Sequence, residues 1–143
     1  MQWFEKCVME LTHHNVFNSA EQRLRFRDLV SCYSTAPFFN KALAKCMFIA
    51  CKDDEHFIEM LDDLNVMTID GEKSLRLLSD RCTESVKNTD SQSEPLYELA
   101  ISYMNDESYT LPDLTMLDAD LSQFIRQALK AAGIIDELPD PRS

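Results

Sequence analysis

Residues 38–51, FFNKALAKCMFIAC, are apolar on nearly every side, interrupted mainly by Asn40, Lys41 and Lys45. A helix that is hydrophobic all round has no face to offer water and belongs inside a protein. The longest unbroken apolar run, Cys46 to Cys51, falls far short of the ~20 residues needed to cross a bilayer. The stretch therefore predicts a central buried helix around which the other elements pack.

On both sides of it the pattern repeats at helical spacing. Phe4, Cys7, Val8 and Leu11 share one face of a helix running from the N-terminus to about His14, and Phe26, Leu29, Val30 and Tyr33 form the next stripe. Asn18 and Ser19, followed by Glu21 and Gln22, have the chemistry of a helix start. Beyond the central stretch, Phe57, Ile58, Leu61 and Leu64 continue the pattern. Either the central helix runs on through residues 52–64, or it breaks with Asp53 or Asp54 as a cap.

Asp70 is expected to cap a helix carrying Leu75, Leu78, Cys82 and Val86, and the polar residues 87–94 then form a loop. Ser93-Glu94-Pro95 suits the opening of a helix carrying Leu96, Leu99, Ala100, Tyr103 and Met104. The last helix starts near Asp118 and is expected to stop at Gly133, whose conformational freedom suits a C-terminal cap. With two glycines and five prolines in 143 residues, breakers are scarce. The expectation is all-α: one domain over residues 1–135, a compact bundle of five to seven helices, followed by a flexible polar tail at 136–143.

Charge and cysteine content narrow the function. Twenty-five acidic residues against 14 basic ones give a net charge of −11, which repels phosphate backbones and anionic lipid. Neither nucleic acid nor a membrane is expected as a partner. The five cysteines, Cys7, Cys32, Cys46, Cys51 and Cys82, include no C-x-x-C pair and read as packing thiols of a reducing compartment. The N-terminal residues lack a basic start and an unbroken apolar stretch, so a cytoplasmic location is expected.

Motifs for chemistry are sparse. There is no glycine-rich phosphate loop and no calcium loop with ligands around a central glycine. Glu10 and His13, echoed by Asp53 and His56, have the E-x-x-H spacing used for metal ligands in di-iron bundles. On a helical wheel both His13 and His56 point away from the apolar stripes, so no cofactor or metal is assigned. An enzyme or sensor built on those four residues, with His14 nearby, stands as the alternative.

The remaining signal is electrostatic. Asp53, Asp54, Glu55, Glu59, Asp62 and Asp63 form one acidic cluster without an intervening lysine or arginine; Asp106, Glu107, Asp113, Asp118 and Asp120 form another. Against them stand Arg23, Arg25 and Arg27, of which Arg23 and Arg27 share a helix face. This distribution suits a non-enzymatic interaction module: an adaptor, regulator, chaperone or immunity-type inhibitor. It would bind another protein, a basic one included, or itself. An acidic mimic of nucleic acid is the second alternative.

Overall fold

The computed structural model describes residues 1–88 and 93–142, so the central part of the loop expected at 87–94 lies outside the described residues. Among the described residues there are seven α-helices and no strand: α1 (Trp3–His13), α2 (Ala20–Tyr33), α3 (Lys41–Ala50), α4 (Asp54–Ile69), α5 (Arg76–Asn88), α6 (Glu94–Met104) and α7 (Ala119–Glu137). None of them is long and apolar enough to cross a membrane.

The all-round apolar stretch is the hub. From Leu43 to Cys51 only Lys45 is not buried, and α3 packs against α2, α4, α6 and α7. Phe48 stacks on Phe124 of α7 at 5.8 Å and meets Phe26 of α2 at 6.1 Å, while Phe17 closes the ring cluster at 5.6 Å from Phe48. Phe38 and Phe39 precede the helix, because Asn40 caps it by accepting the Leu43 N–H at 2.9 Å. Both rings are buried, and Trp3 meets Phe39 edge-on at 5.6 Å.

Side-chain caps start most of the helices. Ser19 accepts from the Gln22 N–H at 3.1 Å and Asp118 from the Leu121 N–H at 3.2 Å. Asp53 accepts from the His56 N–H at 2.9 Å, which breaks the chain between α3 and α4 rather than letting one helix run through. Asp70 does not open α5. It is the C-cap of α4, followed by Gly71 at φ +69° and a Glu72 N–H to Met67 carbonyl bond of 2.9 Å.

That Schellman closure recurs without glycine. Asn15 (φ 56°) ends α1, with the Val16 N–H reaching the Leu11 carbonyl at 3.3 Å. Asp106 (φ 53°) ends α6, with the Glu107 N–H reaching the Ser102 carbonyl at 2.9 Å. Asn and Asp tolerate the left-handed region better than other non-glycine residues, so a chain with two glycines still closes three helices this way.

The C-terminal expectation needs correction. Helix α7 runs straight through Gly133 to Glu137, so that glycine is not a cap. Nor do the described residues of the 136–143 segment stand apart from the body. Leu138 is buried, Trp3 donates its Nε1–H to the Pro139 carbonyl at 2.7 Å, and Arg142 donates to the Ala36 and Pro37 carbonyls, each at 2.7 Å.

Removing the hub ring while leaving the surface intact should separate core from periphery. Phe48→Ala is expected to cost about 3–5 kcal/mol in urea unfolding. Ile69→Ala, at a side chain that is 84% exposed, should stay within about 0.5 kcal/mol of wild type.

Candidate functional site

Helix α2 carries the arginine cluster, and the structure divides it. Arg25 faces inward with 19% of its side chain exposed. Its Nε–H donates to the Cys51 carbonyl at 3.0 Å and its Nη2 to the Lys52 carbonyl at 3.3 Å, while Nη1 pairs with Asp54 at 3.2 Å. It caps the C-terminal end of α3 and is spent on the fold, so its assignment to an exposed patch is corrected. Arg23 and Arg27 lie two residues either side, about 160° away on the helix. Both are exposed, and among the described residues neither side chain makes a hydrogen bond or ion pair.

These two guanidiniums rim a groove between α1 and α2. Its walls are Phe4, Val8, Met9, Thr12 and Leu24, with Glu5 at one end, and it encloses about 300 Å³. Met9 is 47% and Leu24 53% exposed, so apolar surface and unpaired positive charge sit side by side. Glu5 accepts from the Gln2 N–H at 3.1 Å within its own helix turn.

The acidic cluster divides in the same way. Asp53, Glu59 and Asp63 are partly buried, whereas Asp54, Glu55 and Asp62 are exposed. His56, Glu59 and Asp63 follow one another at i, i+3 and i+7 and line a cleft shared with Tyr97 of α6, Cys46 and Cys82. Its volume of about 40 Å³ accommodates a few water molecules. His56 does not point to water as the wheel suggests: it is 14% exposed, with its ring 5.8 Å from Tyr97 and its Nδ1 2.7 Å from Asp53. The Tyr97 hydroxyl donates to Glu59 at 3.0 Å. The wheel fails here because Tyr97, reaching across from α6, covers a flank of α4 that the stripe alone leaves open.

The electrostatics of the cleft are those of a packed polar seam. Burial pushes the Asp53 carboxyl up, but the His56 amide, the His56 ring and Lys52 outweigh it and hold the group below its ordinary value. Burial raises Asp63, opposed by Arg81 and assisted by Glu59 and Asp62. Burial, with Glu59 and Asp63, pushes the Cys82 thiol up to about 12, and burial raises Cys46 well above its usual value. At neutral pH both are thiols rather than thiolate nucleophiles.

The residues of the metal alternative do not converge. Glu10 reaches His14 at 3.9 Å, His13 meets His14 edge-on at 5.4 Å, and Asp53 and His56 pair with each other. Among the described residues no group of three or more His, Cys, Asp or Glu side chains is gathered to hold a metal ion. In the second acidic cluster, Asp113 caps its own turn by accepting from the Thr115 hydroxyl at 2.6 Å, Asp106 closes α6 and Asp118 opens α7. The chain matches no family model, no curated protein and no solved structure.

Two expected outcomes test this division of labour. Arg25→Ala should lose about 2 kcal/mol, because partly buried carbonyls lose a charged donor, while Arg23→Ala stays within about 0.5 kcal/mol in the same urea titration. Asp53→Ala should cost about 1 kcal/mol at pH 7. Because the folded-state carboxyl titrates below the unfolded one, its contribution is complete above about pH 4 and is lost as pH falls through the folded value. The wild type and Asp53→Ala unfolding midpoints should accordingly converge at low pH.

Proposed function

We propose that this protein is an interaction module whose α1–α2 groove receives an acidic, apolar-anchored segment of a protein partner. One observation carries the proposal: on a chain of net charge −11, two arginines four residues apart stand unpaired beside exposed Met9 and Leu24. Unpaired cations on an acidic protein attract carboxylates, and the i, i+4 spacing of Arg23 and Arg27 sets them about 6 Å apart. Apolar contact supplies adhesion, while the charges set register and exclude basic partners.

The reading differs from the sequence expectation in one respect. A basic partner held by the acidic cluster has less support, because Asp53, Glu59 and Asp63 are engaged inside the fold and Asp54 pairs with Arg25. In the groove, by contrast, Arg23 and Arg27 make no ion pair among the described residues, and Glu5 is the one carboxylate among its lining residues.

Selection from a random peptide library, with the whole protein as bait, tests this. Enriched peptides should carry Asp or Glu together with Leu, Ile or Phe at helical spacing. Their affinity should fall on the order of tenfold or more for the Arg23→Glu, Arg27→Glu double variant. Enrichment of basic peptides, or equal binding to the double variant, would overturn the proposal.

A further inference from the structure

Helix α4 presents a second exposed face. Its inner side buries Met60, Leu64 and Met67, yet Ile58, Asp62, Asn65 and Ile69 recur at spacings of 4, 3 and 4 on the opposite side, with Glu55 and Val66 flanking them. On a 100° wheel all six fall within one 100° arc. Ile58 is 58% exposed, and Ile69 more so. The expectation that Ile58 joins the core stripe is therefore corrected, and the reason is that Met60 and Met67 occupy the inward positions instead. The arc holds three apolar side chains, two carboxylates and no cation, and its remaining member, Asn65, accepts from the Tyr33 hydroxyl of α2 at 2.7 Å.

Resting on the reading of the groove given above, we infer that the segment it receives is this α4 face on a second copy of the chain. The chemistry of the two surfaces selects the pairing. Groove against groove would oppose Arg23 and Arg27 to themselves, and stripe against stripe would oppose Glu55 and Asp62 to themselves. Only groove against stripe places carboxylates on unpaired guanidiniums and Ile58, Val66 and Ile69 on Met9 and Leu24. The contact is thus heterologous, with each copy offering one surface and receiving at the other. Assembly of this kind continues unless it closes into a ring, and the −11 charge carried by every copy opposes its growth.

Complementation of two defective variants tests this pairing. Arg23→Glu with Arg27→Glu disables the groove and leaves the stripe; Ile58→Asn with Ile69→Asn disables the stripe and leaves the groove, without giving the two disabled surfaces opposite charges. All four positions are exposed, and circular dichroism melts establish that each variant folds. In sedimentation experiments from roughly 10 μM to 1 mM, wild type should gain mass with concentration, as expected for a small reversible interface. Each variant alone should remain a monomer, and an equimolar mixture should form a dimer and stop there. A monomeric wild type at 1 mM would overturn the inference, as would a mixture that gains nothing over its components. Should a variant unfold, NMR of wild type decides instead: concentration-dependent changes must appear at Leu24 and at Ile58 and Ile69 together. Failure here while the peptide selection succeeds removes self-recognition alone. If the selected peptides fail as well, the groove itself is not a binding surface.

Discussion

The structure depends on how the C-terminal end of α3 is satisfied. Just past the last turn of α3 the chain presents the partly buried carbonyls of Cys51 and Lys52, and leaving such groups unpaired would cost about 1–3 kcal/mol each. The Cys51 and Lys52 carbonyls instead receive N–H groups from Arg25, which also reaches Asp54 at the start of α4. One guanidinium thus ties three helices at the α3–α4 elbow. It also fixes the rotation of α2, for with Arg25 turned inward, Arg23 and Arg27 must turn outward. The feature read as functional follows from a structural demand two residues away.

The same economy governs the acidic residues. A net charge of −11 implies a surface that repels anions, yet many of the carboxylates in the two clusters have local tasks. Asp53 and Asp118 open helices, Asp106 closes one, Asp54 anchors Arg25, and Glu59 holds Tyr97. Glu55 and Asp62, left outward, accompany Ile58, Val66 and Ile69 on α4, while Glu107 and Asp120 are exposed elsewhere. Two of the outer surfaces are thus amphipathic and opposite in sign, set in a surface otherwise rich in carboxylates.

Much of the helix layout was legible in the residues, because it rests on local chemistry. Ser19 and Asp118 are at the caps where their side chains are expected, and the 38–51 stretch contains the central helix. Local patterns could not reveal partners distant in sequence. His56 turns inward because Tyr97 is there to meet it, and Arg25 because the carbonyls of residues 51 and 52 require a donor. The endings at Asn15 and Asp106 carry no glycine to mark their left-handed residue, whereas Gly133 sits inside α7. For the groove a signal was present: the i, i+4 spacing of Arg23 and Arg27 sets them apart from Arg25. Only the fold shows which side of α2 is covered.

Arginine-selective modification of the native protein by a dicarbonyl reagent, read by mass spectrometry, tests this arrangement most directly. Arg23 and Arg27 should react at rates typical of free guanidiniums, and Arg25 should be protected until the protein is unfolded in urea. Equal reactivity of all three arginines in the native state, or protection of Arg23 and Arg27 in the dilute monomer, would contradict it.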